Sequence, residues 1–136
     1  YSKRPTAYCK SLGKDLQYAV GLLEYSQSSI APDGSWNQVQ TMFEPLFDRD
    51  DLPVWVLVSY ADVCARQPGD EYWQQAHQCY ETAIAKEPDC AEAYYGLARL
   101  AVVKGDEDGI AKNFRRGLRL APFHPDAADG RKMLGC

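Results

Sequence analysis

The sequence predicts an all-α protein assembled from helical hairpins, and three observations support this fold class. Residues 88–122 have apolar positions spaced as in two helices that fold back on each other. Weaker copies of the same spacing lie upstream. Each predicted pair is bounded by proline or glycine, and three such pairs in alternating phase are hard to obtain by chance. With 136 residues, the chain is expected to form a single domain over residues 1–136.

The central hairpin is predicted at residues 88–122. Its first helix, residues 91–104, places four residues on one face at offsets 0, 3, 4 and 7: Tyr94, Leu97, Ala98 and Ala101. Gly105 is expected to end this helix, and Asp106 or Asp108 to cap the next one. The second helix carries Ile110, Phe114 and Gly117, with Leu118 flanking them. Pro122 ends it because proline has no N–H to donate.

Four more helices are predicted upstream: residues 9–28, a helix starting near Ser35, residues 52–66 and residues 71–86. Their expected core positions are Leu16, Ala19, Val20 and Leu23 on the first, Val39, Phe43 and Leu46 on the second, Leu57, Tyr60, Ala61 and Cys64 on the third, and Ala76, Tyr80 and Ala83 on the fourth. Pro45 is expected to kink the second helix or end it early. A short end helix is predicted within residues 125–134.

These residues resemble the tetratricopeptide repeat (TPR), a helix–turn–helix unit of 34 residues. Tyr80 and Phe114 are one such period of 34 residues apart. The resemblance depends on Tyr94, Leu97, Ala98, Ala101, Phe114, Gly117 and Pro122, with Ala76, Tyr80, Ala83 and Pro88 in the preceding unit. The chain departs from the family at Ile110, where alanine is usual, and at Asp51, where proline is expected.

The resemblance implies a right-handed α–α superhelix of about three helical hairpins followed by an end helix. The repeats are expected at about residues 13–50, which match the family pattern least, 54–90 and 91–124, with the end helix at 125–134. In such arrays the first helix of each pair lines a concave groove. The resemblance therefore implies a groove that holds another protein.

Eight residues are candidates for the partner-binding groove: Trp55, Val58, Asp62, Arg66, Glu92, Tyr95, Arg99 and Val102. Tyrosine, tryptophan and arginine dominate binding hot spots, and Arg99 is able to fork onto a partner carboxylate. The alternative is that Tyr95, Val102 and Val103 pack against the neighbouring repeat or the end helix. Family members that clamp the terminal carboxylate of chaperones have Lys and Asn where this chain has Val58, Asp62, Tyr95 and Gly96, so that activity is not expected.

The charge distribution gives expectations about partners. A net charge of −4 argues against nucleic-acid binding and against binding to an anionic membrane surface. No apolar run reaches the roughly 18 residues that a membrane helix needs, so no membrane insertion is expected. Lys112, Arg115, Arg116 and Arg119 form a basic stripe, which we interpret as a solvated outer face that also complements the helix dipole.

The five cysteines, Cys9, Cys64, Cys79, Cys90 and Cys136, are odd in number and lack metal-ligand spacing. They are interpreted as reduced packing residues rather than as a disulfide framework, which favours a cytoplasmic location. The chain starts at Tyr1, so a targeting segment that was removed from it stays open as an alternative.

His77, Cys79 and Cys90 are a poor set of metal ligands, because residues i and i+2 point to different helix faces. No metal and no cofactor are expected.

The leading hypothesis is a non-catalytic interaction module or adaptor that binds a peptide or helix of a partner protein in the groove. The alternative is a small TPR-type chaperone of a secretion or assembly system that shields a client subunit. A third hypothesis is self-association into a homo-oligomer. No enzymatic activity is expected, because the chain has no nucleophile motif, no phosphate loop and no Gly-rich strand–helix fingerprint.

Overall fold

A computed structural model describes residues 17, 19–21, 23, 35–48 and 52–135, and every regular element in these ranges is helical. The all-α prediction is therefore confirmed for the described part of the chain. The chain divides into two compact units, Tyr1–Val56 and Leu57–Cys136. Within these ranges no helix combines the length and the apolar character that crossing a bilayer requires. The expectation of a single domain over residues 1–136 stays a prediction.

The first unit illustrates how proline limits a helix. Its described elements are α1 (Ser35–Phe43), a 3₁₀ helix (Glu44–Asp48) and the start of α2 (Val54–Ala65). Pro45 has no N–H to donate to the preceding turn, so the α-helix ends early, as predicted. The predicted core positions are buried: Val39, Phe43 and Leu46.

Upstream of α1, the described residues 17, 19–21 and 23 are helical. Ala19, Val20 and Leu23 are buried, which confirms three of the four positions predicted for this helix face. Leu16, the fourth position, lies outside the described residues.

The second unit is a succession of helices. It contains the rest of α2, followed by α3 (Asp70–Lys86), α4 (Ala91–Lys104), α5 (Glu107–Leu120) and α6 (Ala127–Met133). Helix α3 packs on α4, α4 on α5 and α5 on α6, with the α4–α5 contact the most extensive. Helix α4 has the predicted bounds, and α2, α3 and α6 begin and end within two residues of theirs.

The turn between α4 and α5 follows from two residues. Gly105 has φ 70°, in the left-handed region that glycine enters without strain, and its N–H donates to Val102 O at 3.1 Å. The Asp106 carboxylate then accepts a hydrogen bond from the Gly109 N–H at 3.2 Å and caps α5. Since only this turn separates two helices that pack together, they form an antiparallel hairpin.

Periodicity located most of the second unit's core. The buried positions that were predicted are Leu57, Tyr60, Ala61, Cys64, Ala76, Tyr80, Ala83, Leu97, Ala98, Ala101, Phe114 and Gly117. Tyr94 is an exception, because it is half-buried and its ring lies 5.7 Å from the guanidinium of Arg116. Tyr95 fills the core of the α4–α5 hairpin in its place.

Helices α3 and α4 are tied together at the end where α3 begins and α4 finishes. The Trp73 indole N–H donates to Leu100 O at 2.9 Å. Lys104 lies 4.8 Å from the centre of the Trp73 ring and forms an ion pair with Asp70, which lowers the pKa of that carboxyl below its usual value. These contacts join the start of α3 to the end of α4, so the two helices run antiparallel.

Gly96 allows α3 to approach α4 closely. A Cβ at Gly96 would lie 2.7 Å from Cε2 of Tyr80 and still closer to Cζ and Cε1 of the same ring. The Tyr80 ring therefore occupies the volume that any other residue at position 96 would need. Tyr80 itself is 1% exposed, so the ring has no open space into which it could move.

The described cysteines are packing residues. Cys64, Cys79 and Cys90 are buried free thiols, which confirms that these three residues pack in the interior. Burial raises the pKa of Cys64 and of Cys79 to about 12, and that of Cys90 to about 11. Cys9 and Cys136 lie outside the described residues.

The three buried thiols are expected to resist alkylation and thiol–disulfide exchange at pH 8, because the thiolate is the reactive form and burial disfavours it. A Cys9→Ser/Cys136→Ser variant isolates them, and Ellman's reagent measures the reaction. We expect slow labelling of the folded protein and complete labelling in guanidinium chloride. Rapid stoichiometric reaction of the folded variant would contradict the burial described.

Gly96→Ala is expected to destabilise the protein by about 2 kcal/mol, since overpacking outweighs the gain in helix propensity. Urea unfolding followed by circular dichroism measures the change. Gly21→Ala is the control, because a Cβ at this exposed helical glycine meets no described atom within 4 Å. We expect it to leave stability unchanged or slightly raised. Equal stability of the two variants would show that the Tyr80–Gly96 contact is not required.

Candidate functional site

The second unit contains a cleft of about 460 Å³ to which four elements contribute. The lining residues are Asp62 and Ala65 of α2, Arg66 just after α2, Tyr80 of α3, Arg99, Leu100 and Val103 of α4, and Asp126 just before α6. Helices α2 and α4 are the first helices of two successive predicted pairs. Three of the eight residues predicted for the groove, Asp62, Arg66 and Arg99, are thus brought together in one cleft.

Arg99 lies between two carboxylates at the centre of the cleft. Its Nη2 is 3.2 Å from Oδ1 of Asp62, and its Nη1 forms an ion pair with Asp126 Oδ2. Burial lowers the pKa of Arg99, but Tyr80, Asp62 and Asp126 together outweigh this effect and raise the pKa above its usual value. The guanidinium fork is therefore occupied by carboxylates of this chain.

Tyr80 brings a neutral hydroxyl from the core to the edge of the cleft. Its O–H donates to Asp62 Oδ1, and the Arg99 guanidinium approaches the same hydroxyl at 3.5 Å. Burial, together with the neighbouring charge of Asp62, raises the pKa of Tyr80 far above its usual value, so the phenol keeps its proton. The ring reaches this position because Gly96 has no side chain in its path.

Asp126 is held in place by the segment between α5 and α6. Its backbone N–H donates to Nδ1 of His124 at 3.1 Å. The His124 ring stacks on Tyr95, with the ring centres 4.5 Å apart and an interplanar angle of 18°. A chain of contacts thus runs from the buried Tyr95 through His124 and Asp126 to Arg99 at the cleft.

The prediction that Tyr95 faces an open groove is wrong, because its side chain is 0% exposed. Its hydroxyl donates to Ala121 O at 2.9 Å, and its ring tilts against Phe114 with the centres 6.2 Å apart. A Cβ at Gly117 would lie 3.0 Å from Cζ of Tyr95, so this glycine makes room for the ring on α5. Tyr95 packs instead against α5, the second helix of its own hairpin, and against the segment that leads to α6, whereas Val102 and Val103 remain exposed.

The other groove predictions have different outcomes. Val58 is 1% exposed, so its predicted place on an open surface is also wrong. Glu92 is half-buried and accepts a weak contact from Cys90 Sγ at 3.9 Å, outside the cleft. Trp55 is half-buried in the first unit, and its binding role stays a prediction.

Val102 lies in a second hollow of about 520 Å³. The hollow is lined by Arg99, Val102, Phe114, Asp129, Lys132 and Met133. Val102 and Met133 are exposed, whereas Phe114 forms the buried floor. This hollow shares only Arg99 with the cleft.

Sequence reasoning missed Tyr80 and Asp126 as cleft residues. Tyr80 was assigned to the core, which is correct for its ring but does not place its hydroxyl. Asp126 lies 27 residues from Arg99 in an irregular segment, so no periodic signal relates the two positions. Among the described residues, no three His, Cys, Asp or Glu side chains come together as a metal site would require.

Neither a family model nor a curated protein matches the chain. The resemblance to the tetratricopeptide repeat therefore stays a prediction based on the residues named above.

Tyr80→Phe is expected to cost about 1.5 kcal/mol of unfolding free energy, because the Asp62 carboxylate loses a buried hydroxyl donor. Urea denaturation measures the change. Tyr94→Phe removes the same atom from a half-buried tyrosine whose hydroxyl has no hydrogen bond to a described residue. We expect this control to change stability little. A loss of similar size in both variants would argue against a specific role for the Tyr80–Asp62 hydrogen bond.

Proposed function

We propose that this protein is a non-catalytic interaction module whose cleft binds a peptide or a helix of a partner protein. The observation that carries the proposal is that α2 and α4 line one cleft together. These are the first helices of successive pairs, the elements that the tetratricopeptide resemblance assigns to a groove. The proposal includes no catalytic step and no cofactor.

We also propose that the helical pairs form a right-handed solenoid of the tetratricopeptide type. In a solenoid, each unit contacts only its neighbours along the chain. The succession of contacts from α3 to α4, α5 and α6 supports this arrangement, as does the shared cleft. The antiparallel direction of α3 against α4 and of α4 against α5 is also what stacked hairpins require.

The chemistry of the cleft indicates what a partner must carry. Arg99 is neutralised by Asp62 and Asp126, whereas the exposed Arg66 forms no ion pair with a described residue. Val103 is 73% exposed in the same cleft. A partner segment with one carboxylate for Arg66 and one apolar side chain for Val103 fits this pair of features.

The proposal is tested by selecting peptides from a phage-displayed random library on the immobilised protein. A selected peptide is synthesised with a fluorophore, and fluorescence anisotropy gives its Kd. Arg66→Glu and Val103→Asp are each expected to weaken binding about tenfold or more, since each places a repulsive or polar group against the partner. Both side chains are exposed, so both variants are expected to fold, which circular dichroism checks.

Lys86→Glu is the control, because it makes the same charge change as Arg66→Glu at another exposed position, the last residue of α3. We expect less than a twofold change in Kd for this control. Peptides that bind the wild type and all three variants equally would exclude the cleft as the binding site. Selection that yields no specific peptide would count against a peptide-binding function.

The exposed apolar side chains favour the alternative proposal, a chaperone that shields a client subunit. In the second unit, four large apolar residues are exposed: Val102, Val103, Phe123 and Met133. Phe123 is 94% exposed, so nearly its whole ring is available for contact with another protein. Co-expression distinguishes the two functions, because a client is expected to stay soluble only with the chaperone, whereas an adaptor's partner is soluble alone.

A further inference from the structure

Helix α5 has a continuous cationic surface. After its first turn, each exposed residue is a cation: Lys112, Arg115, Arg116 and Arg119. These four residues are called the basic face. The other side of the helix buries Phe114 and Gly117 against the hairpin core.

None of the four cations forms an ion pair with a described residue. Arg116 lies 5.7 Å from the centre of the Tyr94 ring, which is a cation–π contact and leaves its charge uncompensated. Aspartate and glutamate occur on α5 only in the first turn, at Glu107 and Asp108. The positive charges of the basic face are therefore not neutralised by a carboxylate of the described residues.

The helix dipole does not account for the basic face. The dipole favours cations in the last turn, where Arg119 lies, but Lys112 and Arg115 lie earlier in the helix. Like charges three and four residues apart also repel each other and destabilise the helix. Soluble surfaces usually intersperse both signs of charge, so a face of one sign that weakens its own helix favours a binding role.

An exposed aromatic residue follows α5 closely in the sequence. Phe123 is the third residue after α5 and is 94% exposed. An aromatic ring next to a row of cations can supply the apolar contact that charge pairing alone lacks. Neither Phe123 nor any α5 residue lines the cleft, so this surface is distinct from the proposed peptide-binding site.

We propose that the basic face binds a short acidic segment of a partner protein, with an apolar side chain of that segment packed on Phe123. The partner segment must be negatively charged to complement the four cations. The chain as a whole has a net charge of −4 even with these four cations included. Attraction to a long polyanion, such as a nucleic acid or an anionic membrane, is opposed by this net negative charge.

The length of the face fits a short segment. Lys112 and Arg119 are seven residues apart on a helix that rises about 1.5 Å per residue, so their separation along the axis is about 10 Å. Two turns of an acidic helix, or a few residues of extended chain, cover this distance. The proposal is independent of the cleft and of its occupant.

The probe is a synthetic peptide of about 12 residues with glutamates at helical offsets 0, 3, 4 and 7 and a leucine beyond them. A second peptide has glutamine at the four acidic positions. Isothermal titration calorimetry at low salt gives the affinities, and amide shifts in ¹H–¹⁵N spectra locate the site. We expect binding of the acidic peptide only, with shifts concentrated on α5 and at Phe123, and with an affinity that falls as salt is added.

Matched variants distinguish binding at the basic face from nonspecific attraction to any surface cation. Arg115→Gln/Arg119→Gln is expected to lower the affinity for the acidic peptide about tenfold or more, and Arg115→Gln alone about threefold. Lys86→Gln removes one exposed helical cation elsewhere and is expected to leave the affinity unchanged. Removing like charges is expected to maintain or raise the melting temperature of the protein, so a loss of binding is not explained by unfolding. Phe123→Ser is expected to lower the affinity only for peptides that contain the leucine.

Several outcomes would overturn the proposal. Equal affinity for the acidic and glutamine peptides, or an equal loss in Lys86→Gln, would remove the basic face as the site. Tighter binding to an oligothymidine strand or to phosphatidylserine vesicles, abolished by Arg115→Gln/Arg119→Gln, would assign the face to a polyanion instead. Concentration-dependent self-association that the same variant abolishes would make a second copy of this chain the occupant.

Discussion

The contact between the Tyr80 ring and Gly96 determines both how α3 packs on α4 and what the cleft contains. Since position 96 has no side chain, the ring lies against the backbone of α4, and the hydroxyl extends beyond it to Asp62 and Arg99. Burial keeps the phenol protonated, so it remains a donor to the carboxylate. One residue thus belongs to the hydrophobic core through its ring and to the polar cleft through its hydroxyl.

This arrangement changes the role that sequence reasoning assigned to Arg99. A guanidinium with two donor edges can bind a partner carboxylate, but here the two edges contact Asp62 and Asp126. Because Arg99 is 44% exposed, these ion pairs contribute little to the free energy of unfolding. Their main effect is to hold Asp62, Arg99 and Asp126 in position. Arg99 holds the segment before α6 against α2 and α4, and it leaves Arg66 as the available cation of the cleft.

The parts that sequence could predict are those governed by local periodicity. Helix faces, proline and glycine boundaries and the turn at Gly105 all depend on residues within a few positions of each other. Within the described residues the structure confirms most of these predictions. Local periodicity does not decide which of Tyr94 and Tyr95 lies in the core. Both are aromatic, and as adjacent residues on a helix they point only about 100° apart. Tyr95 occupies the core because Gly117 leaves space for its ring and His124 stacks on that ring. Both residues come close to Tyr95 only through the tertiary fold. Asp126 was missed for the same reason.

The cleft and the basic face differ in how they would recognise a partner. In the cleft, one cation lies beside a network whose charges are already paired, so shape and apolar contact with Val103 would contribute much of the selectivity of the proposed binding. On the basic face, four unpaired cations act together, and an exposed site of this kind is screened by salt far more strongly than a partly enclosed one. Raising the ionic strength should therefore weaken the basic face first and leave the cleft largely unaffected. If both surfaces bind the same partner, the charge contact speeds association and the cleft contributes to its lifetime, because long-range attraction acts mainly on the association rate.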